Sequence, residues 1–398
     1  PPHEIKLPFW LTPSTSYVGP AWYRRTISIP HGWSKGRVIL HLERCHWFTQ
    51  VWLDGKFIGK AESLAVPHEF ELTADATPGE HELVICVDNT QHIDVGSSSH
   101  SVSDQTQGNW NGIIGKVELR TTPTSWIDEL RLDCSGPQHL LKATALVDNQ
   151  TTSPIEGTLT LHARLRGNAG GSAQSVTLQH TAPAKQSDAN TRKAVTVELA
   201  LGPDAALWDE FAPNLYDVEV EWLPRGNPPG SGQRIERSFG IRTISTADRH
   251  IFINGQPRFL RGTVDCCVFP LTGHPPVNVK HWKRVFATCR DHGLNHIRFH
   301  SYCPPEAAFV AADELGMYLQ IECGTWANFG AMLGDGQPID RFVIEEARRI
   351  VKAFGDHPSF IMLASGNESE GKNREAFLTA WVNELRRRDD RRLYTGAT

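Results

Sequence analysis

At 398 residues, with 39% hydrophobic and 21% charged side chains and a formal net charge of -5, the chain is sized for two to four domains with separate cores. It holds no run of about 18 apolar residues, which excludes a helical membrane span. Its mild acidity, without any block of Lys or Arg, argues against nucleic acid or anionic lipid as the main partner. Twelve Trp and six Tyr against three Met suit sites that stack on the flat faces of sugars, although aromatic filling of β-sandwich cores explains them as well. The eight cysteines include no metal-type C-x-x-C pair and read as free thiols in a chain large enough to need no staples. The sequence opens at Pro1-Pro2-His3; an export signal removed before that point would put the protein in the periplasm or outside the cell. A homo-oligomer is compatible with all of this.

From Trp22 to about Thr122 the pattern is all β. Val38, Leu40 and Leu42 alternate with polar neighbours, as do Leu83, Ile85 and Val87, and Asp54-Gly55 supplies the positive φ values of a tight hairpin. A second β segment, from Ile127 to about Ile241, is broken by the loop-like stretches Arg166 to Ser175, Ala182 to Arg192 and Arg225 to Gln233. Near Thr243 the grammar changes to alternating strand and helix. Arg258 to Val264, Asn295 to Phe299, Met317 to Glu322 and Phe360 to Ser365 are short apolar runs, and Leu393 to Thr398 begins a fifth. Between them, Trp282, Val285, Phe286 and Cys289 share a helical face, Pro304-Pro305 opens a helix that Gly316 ends, Phe342 to Phe354 marks a third, and Phe377, Trp381 and Leu385 a fourth. Such alternation implies a parallel sheet, doubly wound or closed into a barrel. The residues after Thr243 fall short of the roughly 250 of an eight-fold barrel, so the expected chain continues past Thr398.

In a barrel, working side chains sit at the C-terminal ends of strands. Here those ends carry Asp265, Arg298 and His300, Glu322 and Trp326, and Asn367 and Glu368. Carboxylates, an Arg, a His, an Asn and a Trp converging on one rim describe a polar pocket. Glycosidic bond cleavage needs one carboxyl group to protonate the departing oxygen and a second to attack the anomeric carbon or activate water. Glu368, after an apolar strand and an Asn, fits the proton donor, since burial there favours its neutral form; the same Asn367-Glu368-Ser369 run is also a normal start for the next helix.

Several motifs add to this. Trp22-Tyr23-Arg24-Arg25 with Ile27-Ser28-Ile29-Pro30, Val51-Trp52-Leu53-Asp54-Gly55, Trp110 to Gly115, Asn214-Leu215-Tyr216, Phe239-Gly240-Ile241-Arg242, Asn254-Gly255, Leu260-Arg261-Gly262 and Gly366-Asn367-Glu368 follow in that order. The ordered set resembles glycoside hydrolase family 2 over essentially the whole chain. The resemblance implies a multidomain fold: a jelly-roll β-sandwich sugar-binding domain over 1–125, an immunoglobulin-like β-sandwich over 126–242, and over 243–398 about the first half of a catalytic (β/α)8 TIM barrel. It implies a retaining, exo-acting β-glycosidase, β-galactosidase-like, acting on an oligo- or polysaccharide. Glu368 would be the general acid/base, Asn367 the amide that reads the sugar 2-hydroxyl, and Arg298 the support of a nucleophilic Glu beyond residue 398.

Departures from the family pattern bear on which sugar is read. Thr263-Val264-Asp265-Cys266-Cys267 stands where Asn and His are usual; His300-Ser301 exchanges the usual Ser-His order; and Thr106 stands at the usual jelly-roll Asp, with Asp104 near. Glu322-Cys323-Gly324 lacks the His of the Glu-x-His that some relatives use for magnesium, so no metal or other cofactor is expected. Asp265, His300, Trp326 and Asp104 are substrate-binding candidates, and Glu322 either contacts substrate or braces Arg298. A carbohydrate-binding protein without chemistry and a transglycosylase are the alternatives on the same scaffold.

Overall fold

A computed structural model describes residues 3–4, 15–100, 102, 109–136, 138–167, 173–184, 194–269, 271–328 and 330–397. The loop stretches Arg166 to Ser175 and Ala182 to Arg192 lie largely outside the described residues, as does Asp104. The first unit is two antiparallel sheets face to face. One orders Pro20–Ile29, Gly79–Asp88, Phe48–Leu53 and Lys56–Glu62; the other orders His68–Glu71, Arg37–His46 and Gly112–Thr122. The alternating Leu40, Leu42, Val51, Leu53, Leu83, Ile85 and Val87 meet between them. Asp54 and Gly55 turn the hairpin at φ 50° and 78°. In the second unit, Ser125–Ser135, Leu140–Asn149 and Val195–Ala200 cover the sheet of Gln174–Ala182, Ile155–Leu165, Tyr216–Pro224 and Gln233–Phe239, with Trp222 fully buried between.

After Thr243 a small antiparallel meander (Ile244–Ala247, His250–Ile253, Gln256–Arg258) precedes the parallel sheet. The expected strand from Arg258 therefore starts only at Gly262. Arg258 instead closes the meander, paired with Ile251, and its guanidinium reaches Asp209 at 3.0 Å. Five parallel strands then lie side by side in chain order: β1 (Gly262–Asp265), β2 (His296–Phe299), β3 (Tyr318–Glu322), β4 (Phe360–Ala364) and β5 (Leu393–Thr395). Helices α1 (Val279–Asp291), α2 (Glu306–Leu315), α3 (Pro338–Phe354) and α4 (Arg374–Arg388) connect them. Every residue of β3 is buried, as expected for a strand covered on both faces. Gly316 ends α2 at φ 70°, where a side chain would be strained. No two of the eight cysteines form a disulfide. Among the described residues no helix is long and apolar enough to cross a membrane.

The first unit and the half-barrel share one hydrophobic core. Trp47, Ala65, Val95 and Val102 join the cluster built on α1, α2, α3 and the strands. Trp47 is fully buried against Phe342 of α3, ring centroids 5.9 Å apart. At about 25 cal/mol per Å², burying such a ring contributes about 4–6 kcal/mol to the seam. Beside it Glu346 of α3, also fully buried, accepts from Ser63 Oγ at 2.8 Å and from the Leu64 N–H at 2.9 Å, while Arg44 donates to the carbonyls of Ala65 and Cys303. These bonds reduce the cost of burying Glu346 without cancelling it, and burial raises its pKa.

The opposite end is tied by an ion network. Asp389 accepts from Arg391 Nε at 2.9 Å and Nη2 at 2.7 Å, and Arg391 also donates to Asp356 at 2.7 Å and to the Leu132 carbonyl of the second unit at 2.6 Å. Burial disfavours the Asp389 carboxylate, but Arg392 and Arg391 prevail and hold its pKa well below the usual range. A depressed folded-state pKa adds stability that is fully present above the unfolded value near 4 and fades as pH falls below it. Asp389→Asn should therefore cost about 3–5 kcal/mol at pH 7, because it strands buried guanidinium charge. The gap from wild type should narrow at pH 3, as denaturant unfolding at both pH values will read; an equal gap would remove Asp389 from the network's energetics.

Candidate active site

The C-terminal ends of β2, β3 and β4 are drawn together by close backbone contact. Gly366 has φ 155°, and a Cβ there would lie 2.1 Å from Thr325 Oγ1 and 2.3 Å from the Thr325 carbonyl oxygen. Without a side chain, the turn after β4 lies against the turn after β3: the Asn367 N–H donates to the Thr325 carbonyl at 3.0 Å and Thr325 Oγ1 to the Ser365 carbonyl at 2.9 Å. Arg298, on β2, spans the gap. Its Nε donates to Glu322 Oε1 at 2.6 Å and its Nη2 to Asn367 Oδ1 at 2.6 Å. Glu322 is 0% exposed and its second oxygen accepts the Ser301 N–H at 2.7 Å. A planar guanidinium is suited to this double duty. With Oδ1 of Asn367 taken by a donor, its Nδ2 is the atom left to donate.

Glu368 follows Asn367. Within these residues Asn367 is 3% exposed, whereas Glu368, whose backbone is in the left-handed region at φ 38°, is exposed at the rim surface rather than buried as expected. There Glu368 Oε2 accepts from the Trp326 indole N–H at 3.0 Å. The Trp326 ring meets His300 edge-on at 4.7 Å between centroids. Glu368 thus sits on the same rim as His300 and the Arg298–Asn367 pair. Three non-glycine residues with positive φ, Cys267 (57°), Ser301 (46°) and Glu368 (38°), each come just after a barrel strand, which concentrates backbone strain at this rim.

The first unit reaches over the same rim. The Trp326 N–H donates to the Val95 carbonyl at 2.8 Å, and a Cβ on Gly96 would lie 1.7 Å from the Trp326 carbonyl oxygen. His100, four residues on, is 5% exposed; its ring stands 5.0 Å from His300 and 6.3 Å from Trp326. Burial, with a smaller push from His300, takes the His100 pKa down to about 4. Burial also lowers that of His300, against the pull of Glu322. Both shifts favour the uncharged ring. Gly96→Ala should displace Trp326 and the Glu368 carboxylate it holds, lowering kcat/KM of the full-length protein about 10- to 100-fold. Parent-like kinetics would show that this close contact is unimportant.

The remaining candidates divide. Asp265 ends β1, where its Oδ1 accepts from the Cys267 N–H at 2.9 Å and from the Tyr302 hydroxyl; burial raises its pKa, opposed by Tyr302 and Cys267. One of its oxygens is thus committed to the protein. Glu322, offered as a substrate contact or a brace, is closed off from solvent, with its two oxygens bonded to Arg298 Nε and the Ser301 N–H. The candidate Asp104 lies outside the described residues; His100 reaches the rim from a Gly-Ser run that carries no signal of a site. Among the described residues no group of three or more His, Cys, Asp or Glu side chains is placed to hold a metal ion.

Comparison with known proteins agrees along the chain. Residues 4–123 match the model of the glycosyl hydrolases family 2 sugar binding domain, 138–242 that of glycosyl hydrolases family 2, and 244–396 that of its TIM barrel domain. A beta-galactosidase of Leuconostoc mesenteroides is 26% identical over 83% of this chain and 31% of its own length. The beta-galactosidase large subunit of Leuconostoc lactis is 25% identical over 93% of this chain and 57% of its own length. The chain thus spans 31% and 57% of the lengths of these two relatives. Among solved structures, a Bacteroides uniformis beta-glucuronidase superposes with a TM-score of 0.78 at 20% identity, covering 95% of this chain and 46% of that one. A beta-galacturonidase of Eisenbergiella tayi bound to galacturonate superposes at 0.74, also at 20% identity, over 95% of this chain and 64% of that one.

Proposed function

The chain belongs to glycoside hydrolase family 2, and from that premise we propose that it carries the acid/base half of a retaining active site that removes a terminal β-linked sugar. Glu368 donates a proton to the glycosidic oxygen as the bond to the anomeric carbon breaks, while a carboxylate from a strand that these residues do not include attacks that carbon. In the second step Glu368 takes a proton from water as the water oxygen bonds the anomeric carbon and the ester bond to the nucleophile breaks, releasing the sugar with its configuration kept. Asn367 donates from Nδ2 to the 2-hydroxyl, and Arg298 fixes that amide. The observation that carries the reading is the chain of contacts across three strand ends: Glu322 to Arg298 to Asn367, with the neighbouring Glu368 held by Trp326.

The finer assignments belong to the same proposal. The first unit, 1–125, is read as a jelly roll, 126–242 as an immunoglobulin-like sandwich, and 243–398 as the N-terminal half of the barrel. The first unit's hold on Trp326 supports exo action, since a loop over one side of the rim narrows the space for internal sugar units. A neutral galactoside is the proposed substrate, on the names of the sequence relatives and the neutral imidazoles at the rim. The test is the full-length protein on nitrophenyl β-galactoside, β-glucuronide, β-glucoside, β-mannoside and α-L-arabinopyranoside, with the first sugar product followed by proton NMR. The expected result is preference for the β-galactoside and β-anomer formed first. Binding without turnover, or α-anomer first from the β-galactoside, would overturn it.

A further inference from the structure

The exchanged order His300-Ser301 leaves a serine beneath the rim with an assignable hydrogen. Ser301 is fully buried, and its Oγ accepts the backbone N–H of His100, from the first unit, at 3.4 Å. That N–H can only donate, so the oxygen is an acceptor there. The hydroxyl hydrogen is then buried and needs an acceptor of its own. His300 Nδ1, 3.0 Å from Oγ, supplies it. The alternative, Nδ1–H donating to Ser301, would leave that hydrogen buried and unpaired.

Resting on the glycosidase reading above, we propose that Ser301 is a positioning residue that holds neutral His300 as its Nε2–H tautomer, so that His300 donates a hydrogen bond from Nε2 to a hydroxyl oxygen of the terminal sugar. The geometry around the ring supports this. Its Nδ1 is engaged by Ser301, and Trp326 stands edge-on at 4.7 Å and His100 at 5.0 Å. Burial, which lowers the His300 pKa, keeps the ring neutral and makes its tautomer matter. The backbone of the first unit at His100 thereby sets which atom of a barrel histidine meets the substrate.

Two readouts test it on the full-length protein. In solid-state 15N spectra of histidine-labelled protein at pH 7, the His300 signal, identified by its loss in His300→Gln, should show a protonated Nε2 and bare Nδ1; a protonated Nδ1 overturns the proposal. This readout needs no turnover, so it stands or falls apart from the glycosidase reading. In kinetics, His300→Gln places an amide N–H near Nε2 and His300→Asn places one near Nδ1. The Gln variant should stay within about 10-fold of wild type in KM, and the Asn variant should rise about 100-fold with kcat little changed. On one monodeoxy glycoside the wild type should fall to the Asn level without further loss in the variant. Equal effects of Gln and Asn, or additive losses on every deoxy substrate, would overturn it. Ser301→Ala should raise KM in the same direction as Asn, and the comparison of Gln with Asn stands if Ser301→Ala does not fold.

Discussion

Glu368→Gln in the full-length protein is expected to lower kcat/KM on glycosides with poor leaving groups by about 10²–10⁴-fold, the usual contribution of a positioned general acid. The substitution is isosteric and keeps an oxygen to accept from Trp326 Nε1, so the fold should be retained. The loss is therefore chemical. With a nitrophenolate leaving group, which departs without a proton, kcat/KM should fall much less, and kcat should be limited by breakdown of the glycosyl-enzyme. Azide attacks that intermediate without base assistance, so it should raise kcat for nitrophenyl substrates, form a glycosyl azide, and restore little for poor leaving groups. Unchanged turnover of a poor-leaving-group substrate would exclude Glu368 as the acid.

Replacing Arg298 should affect both activity and stability, because its two bonds serve different partners. Arg298→Met takes the guanidinium away from Glu322, a carboxylate at 0% exposure, at a cost of about 3–5 kcal/mol, and strips Asn367 Oδ1 of its donor. Arg298→Lys keeps a charge for Glu322 but cannot fork to Asn367 as well, so it should fold and lose about 10²-fold in kcat/KM through a misplaced amide. Adding Glu322→Gln to Arg298→Met should recover much of the stability and none of the activity. The unfolding midpoint and steady-state kinetics of the three variants separate the two roles. A Lys variant within threefold of wild type would show that the Asn367 tie is dispensable.

Local pattern carried a large part of this protein. Period-two alternation from Val38 to Leu42 and Leu83 to Val87, the Asp54-Gly55 turn, the Pro and Gly punctuation of the helices, and the polar residues after β2, β3 and β4 are properties of neighbouring residues, legible wherever the chain folds. What pattern could not supply are contacts between residues far apart in sequence. Trp47 in the barrel core, Gly96 against Trp326, the His100 N–H on Ser301, the Arg391 link to Leu132 and the capture of Arg258 by the meander all join separate segments. Exposure of Glu368 belongs with these, since it depends on how the turn after β4 is pressed onto Thr325. Side-chain periodicity reports which face of an element turns inward; which other element meets that face is decided by the path of the whole chain, and only the tertiary structure contains it.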